Sequence, residues 1–145
     1  MKPPASTVVV DAAILVAAAR GRSSGAVLEA GRRATLVTTD RVVHEVRRRV
    51  EFGLQRPELL AVVDALVGEM TVVPVAALVD LIERCALALE EAVPSRNGST
   101  RDAHVLALAW CLDADIWTTD RDFAGTGVAT WSTPNLMRGF AASIA

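Results

Sequence analysis

Short runs rich in β-branched residues recur along this chain, and each is followed by a stretch of helical period or by a polar turn. TVVV (7–10) precedes AAILVAAAR, TLVT (35–38) precedes a helix opened by Asp40, and TVVPV (71–75) runs into a long helix ending near Val93. DIWT (115–118) and VATWS (128–132) complete the series. Strand-sized apolar runs alternating with helical periodicity predict an α/β domain: a mainly parallel sheet of four or five strands sandwiched between helices. A last short helix is expected from Pro134, capped by Ser132 or Thr133. The segment 93–101, VPSRNGSTR, reads as a loop within the domain.

With 145 residues, 52% of them hydrophobic, the sequence suits one domain over 1–145 with a sizeable core. Cys85 and Cys111 sit in Ala/Leu-rich helical patterns, form no CxxC pair and read as small core hydrophobes suited to a reducing cytosol. The apolar N-terminal stretch is interrupted by Asp11 and opens with two prolines, which argues against an export signal. No apolar run approaches the ~18 residues of a membrane span, so a cytoplasmic protein is expected. The net charge of −2 conceals an asymmetry: residues 1–60 carry ten basic and six acidic side chains, residues 61–145 five and eleven. A basic face and an acidic pocket can therefore share one domain.

In open α/β sheets, ligands bind beyond the carboxyl ends of the strands, so acids at those ends matter most. Asp11 follows VVV directly, Asp120 and Asp122 follow DIWTT, Glu45 lies early in the helix after TLVTT, and Asp102 lies in the first turn of a helix over 102–112. Each has an ordinary structural explanation. Asp11 suits a helix cap, Asp102 ends the capping-box pattern Ser99-Thr100-Arg101-Asp102, Glu45 a solvated helix face beside Arg47, Arg48 and Arg49, and Asp120 or Asp122 an Asx turn. Asp40 is assigned to capping its own helix, ahead of the stripe Val42, Val46, Val50, and is left out of the site. Together, however, these acids would gather at one edge of one sheet. Clustered carboxylates repel and cost stability, and their hard oxygen donors point to a divalent cation, Mg²⁺ or Mn²⁺. His44 and His104 read as surface or packing residues, and Trp110, Trp117 and Trp131 as core.

The order VVVDAAILVAA, TTDRVVHEVRRR, RDAHVLALAWCLDADIWTTDRDF resembles the PIN-domain family, particularly bacterial toxins of the VapC type, along nearly the whole chain. Its most specific block is D-x₁₇-D-x-D-F, preceded by an Ala/Leu-rich helix and IWTT. The resemblance implies an acidic quartet of Asp11, Glu45, Asp102 and Asp120, with Asp122 auxiliary or alternative as the fourth acid. It further implies Mg²⁺- or Mn²⁺-dependent endonucleolytic cleavage of RNA and a small antitoxin partner that blocks the site. Asp11, Asp102, Asp120 and Asp122 are the metal-ligand candidates, while Glu45 would position a water or help deprotonate the nucleophile. Where many members carry Ser or Thr after the first Asp, this chain has Ala12 and Ala13.

Arg47, Arg48 and Arg49, with Arg41 and Arg121, are candidates for holding the RNA backbone. Receiver domains and haloacid-dehalogenase-like phosphatases also gather aspartates at strand ends, but they need a placed lysine, and the only lysine here is Lys2. A rival of another class is a catalytically idle PIN-like module that binds RNA or protein. The Val/Ala/Leu-rich helices are compatible with a homodimer, although a hydrophobic core explains the same residues.

Overall fold

Val8, Val9 and Val10 are fully buried, which a parallel strand achieves only when helices cover both faces of its sheet. The computed structural model describes residues 2–92, 102–121 and 123–143. These valines belong to β1 (Thr7–Val10), the middle strand of a five-stranded sheet with β2 (Thr35–Thr39), β3 (Thr71–Val73), β4 (Asp115–Trp117) and β5 (Thr130–Trp131). The order is β3-β2-β1-β4-β5 and every pairing is parallel. Val9 stands opposite Val37 on one side and Ile116 on the other.

Among the described residues, the α-helices between the strands are α1 (Ala12–Ala19), α2 (Ser24–Arg33), α3 (Asp40–Arg48), α4 (Leu60–Gly68), α5 (Val79–Ala92) and α6 (Ala103–Leu112), and α7 (Thr133–Ala142) follows β5. The chain lays down β1, β2 and β3 outward in one direction and then returns to place β4 on the other side of β1. Parallel crossovers are right-handed, so the helices after β1 and β2 cover one face, and the connection from β3 to β4, which contains α5 and α6, covers the other. In agreement, α1 packs against α3 and α4, whereas α6 packs along β1, β2 and β4 with α5 against it.

The α/β expectation and all five strands are met, with differences at the ends. β3 stops at Val73 because Pro74 has no N–H to give the ladder; a 3₁₀ turn, Val75–Leu78, then leads into α5. β5 is trimmed to Thr130–Trp131. The cap of α3 is Thr39 rather than Asp40: Thr39 Oγ1 accepts from the N–H of Val42 at 3.0 Å. Asp40 instead accepts from the N–H of Val75 at 2.9 Å and ties α3 to the turn after β3. Ser132 caps α7, as expected. Val42 and Val46 are fully buried on α3, and Val50 in the turn that continues it.

Cys85 is buried, and burial pushes its thiol up to about 11. Cys111 and Trp110 depart from the core assignment. Both are exposed, in the last turn of α6. Trp117 is fully buried and Trp131 partly. Among the described residues no helix is long and apolar enough to cross a membrane.

Candidate active site

The neighbours of β1 were laid down in opposite directions, β2 before β4, so their helices leave opposite faces and a crevice opens at the carboxyl ends of β1 and β4. This is the topological switch point at which open α/β sheets bind ligands. A cavity of about 780 Å³ lies there, lined by Asp11, Ala12, Ala13, Arg41, His44, Glu45, Arg48, Arg49, Asp102, His104, Thr119 and Asp120. Each carboxylate arrives from a different element: Asp11 from the end of β1, Glu45 from α3, Asp102 from the N-terminus of α6, and Asp120 from the turn after β4. Asp122 lies outside the described residues.

Asp11 is the most buried of the four, at 7% exposure. One carboxylate oxygen accepts from the N–H of Ala12 at 2.8 Å and so caps α1. The other accepts from the Thr118 hydroxyl at 2.7 Å. Burial pushes its pKa above the usual carboxylate value; the two hydrogen bonds oppose that shift, and the charges of Glu45 and Asp120 add to it. The same Thr118 oxygen accepts from the N–H of Asp120 at 2.9 Å. One hydroxyl thus fastens two of the acids to each other through β4. The N–H of Asp11 also donates to the Trp117 carbonyl at 3.0 Å, extending the β1–β4 ladder to the site. Ala12 offers no hydroxyl, but Asp11 receives one from 107 residues away.

Asp102 stands at the N-cap of α6 without making a side-chain capping bond. The preceding part of the capping-box pattern, Ser99-Thr100-Arg101, lies outside the described residues. Two residues on, His104 is buried at 3% exposure, with Nδ1 hydrogen-bonded to Thr39 Oγ1 at 2.9 Å. The β2–α3 junction is thereby joined to the first turn of α6 across the sheet end, and the walls carrying Glu45 and Asp102 are held relative to one another. The packing role expected of His104 is met, and His104 also lines the cavity. The expectation that His44 is a surface residue holds for its exposure, yet it too faces the cavity.

Among the arginines, Arg41, Arg48 and Arg49 line the cavity. Arg47 instead pairs with Asp64 of α4, and Arg121 does not reach the cavity wall. The grouping of Arg47 with Arg48 and Arg49 by adjacency therefore fails on helix geometry. At ~100° per residue, Arg41, His44, Glu45 and Arg48 share a stripe roughly 100° wide, and Arg47 lies off it. That i, i+3, i+4, i+7 spacing is visible in the sequence and marks the cavity-facing side of α3. Thr118 and Thr39 carry no comparable signal, because their partners lie far away in sequence.

The donor set suits a hard divalent cation: carboxylate oxygens from four elements, one of them buried and disfavoured as an unneutralised charge. Among the described residues no three acidic, histidine or cysteine side chains already stand in the arrangement of a ligated ion. Asp115, at the other end of β4, shows the contrast. Its Oδ2 accepts from the N–H of Ala5 at 2.8 Å and from Trp131 Nε1 at 2.9 Å, as a wholly structural carboxylate.

A family model described as "PIN domain" matches residues 9–140. Among solved structures, the chain resembles one from the crystal structure of VapBC2 from Rickettsia felis bound to a DNA fragment from their promoter. The TM-score is 0.69 at 13% identity, covering 87% of this chain and 98% of that one. It also resembles PAE2754 from Pyrobaculum aerophilum, with a TM-score of 0.62 at 17% identity, covering 94% of this chain and 90% of that one. At such identities the likeness is one of fold. No curated protein sequence matches.

Proposed function

From the premise that the chain belongs to the PIN-domain family, whose members are generally nucleases, we propose that its acidic cavity hydrolyses RNA phosphodiester bonds with a divalent cation, Mg²⁺ or Mn²⁺. We assign it further as the toxin of a toxin–antitoxin pair. The observation that carries the reading is the convergence of Asp11, Glu45, Asp102 and Asp120 on one cavity at the switch point of the sheet. The fold shared with a chain of VapBC2 supports the toxin assignment and a small antitoxin as partner.

A bound cation would supply a water of lowered pKa and neutralise charge developing on the phosphodiester. Asp11, Asp102 and Asp120 are the residues that would hold it, with Asp122 as an auxiliary acid. Asp11 is aimed by the N–H of Ala12 and the hydroxyl of Thr118, so its oxygens need no reorganisation. Glu45 faces the same space from α3 and would position the attacking water or help take its proton.

Purified protein incubated with a panel of structured RNAs tests this. Cleavage is expected with Mg²⁺ or Mn²⁺, none with EDTA, and a loss of about 100-fold or more in Asp102→Asn. Equal cleavage by that variant would remove the site. Cation binding without cleavage across the panel would favour the idle binding module. The toxin assignment stands on growth arrest upon expression, relieved by the small open reading frame beside the gene; its absence contradicts it.

A further inference from the structure

Seven of the arginines line the cavity or enter an ion pair, and they divide by location. Arg32 and Arg33 pair with Glu29, Arg47 with Asp64 and Arg56 with Glu58, all away from the cavity. Arg41, Arg48 and Arg49, which line it, enter no ion pair among the described residues, although Glu45 stands on the same face of α3. A contact of Glu45 with Arg41, Arg48 or Arg49 at i, i+4 or i, i+3 would gain a few tenths of a kcal/mol, and none forms. The three arginines instead line the cavity that the four carboxylates also line. At the last of the three the helix changes register: the N–H of Leu54 donates to the Arg49 carbonyl at 2.8 Å, opening a π-helical turn, Arg49–Gly53. Such turns within helices are frequent at functional sites.

We propose that Arg41, Arg48 and Arg49 form a phosphate track for a single-stranded RNA, gripping the phosphates next to the one that enters the acidic cavity. This deepens the nuclease reading and rests on it. The seven-residue separation of Arg41 and Arg48 is a rise of ~10 Å along α3. That exceeds the ~3.4 Å of axis per charge on one strand even of a stacked duplex, so the two arginines contact different phosphates. A duplex would have to bring a phosphate down to Asp11, which is 7% exposed between the walls of α3 and α6; a single strand can bend into that crevice. The guanidinium fork suits phosphate oxygens, and contact with phosphate alone makes the grip independent of base sequence. Arg47, one position away and held by Asp64, is the internal control.

The test is a salt titration of binding. Cleavage is silenced with Asp11→Asn, which also removes one charge that repels the ligand, and a short labelled single-stranded oligoribonucleotide is bound in EDTA over a range of KCl. Adding Arg41→Ala or Arg48→Ala is expected to reduce the magnitude of the log K against log [KCl] slope by about 0.7 each, the increment of one single-strand phosphate contact. Affinity falls several-fold whatever the base sequence, and Arg47→Ala changes neither quantity. In the cleavage-competent protein with Mn²⁺, the same two substitutions raise KM and leave kcat within about twofold.

Unchanged slopes in Arg41→Ala and Arg48→Ala, an equal loss in Arg47→Ala, or a duplex of the same sequence bound as tightly as the single strand would each overturn the track. So would unchanged RNA binding together with lost binding of a poly-aspartate peptide, which would give the wall to an acidic protein. The two readings fail separately: absence of cleavage under all conditions sinks the hydrolysis, while the slopes still decide the track.

Discussion

Asp11 caps α1 and faces the cavity, and the second role costs stability. Its carboxylate is buried, so the charged form is disfavoured, and Glu45 and Asp120 disfavour it further; the Thr118 hydroxyl and the Ala12 N–H offset only part. With the folded pKa above the unfolded value of ~3.9, the folded chain binds more protons than the unfolded chain between the two values. Stability is then highest below that window and falls as pH rises through the folded pKa. Asp11→Asn keeps the cap and removes the charge. In EDTA at neutral pH it is expected to melt a few degrees above wild type, with the difference shrinking as pH falls through the raised folded pKa and gone below the unfolded value. Thermal denaturation at pH 4 and pH 7 checks this, and a variant melting lower at pH 7 would show that the Asp11 charge is stabilising. Asp11 could be read directly from VVVD, whereas its hydrogen-bond partner Thr118 depends on β1 and β4 being neighbours, a fact of topology absent from any local pattern.

The elements that bear the acids are braced by Thr39, whose hydroxyl caps α3 and bonds His104 of α6. Thr39→Val keeps the shape and removes both contacts. Loss of a cap costs about 1 kcal/mol, and a buried ring nitrogen left without its partner costs about 1–3 kcal/mol. A loss of about 2–4 kcal/mol in urea unfolding is therefore expected, with most of it restored in Thr39→Ser; a neutral Thr39→Val would mean that the two walls are held by other contacts. α3 and α6 were legible because a buried stripe or an Ala/Leu run marks them. α2 and α4 were not. α2 contains Gly25 and Gly31 and begins at Ser23, in the left-handed region and without a side-chain cap. In α4, LAVVDALVG is apolar nearly throughout, and a short apolar run has no period to separate helix from strand.

At the scale of the molecule, the order β3-β2-β1-β4-β5 turns scattered strand-end acids into one site. Asp11 and Asp120 meet because β1 and β4 are neighbours, and Glu45 and Asp102 meet across the crevice because α3 and α6 leave opposite faces of the sheet. The sequence marks Asp11, Asp102 and Asp120, each at a strand end or a helix start, and Glu45 by its place within the helix that follows β2. The division of the arginines needed three dimensions, because adjacency in RRR misleads where a helix turns ~100° per residue. The central claim is that these acids together hold one kind of ligand, a hard divalent cation, and calorimetric titration of the purified protein with Mn²⁺ in the absence of RNA tests it most directly. Saturable binding is expected in wild type and a loss of about tenfold or more in affinity in both Asp11→Asn and Asp102→Asn; binding of equal affinity in wild type and both variants would contradict it.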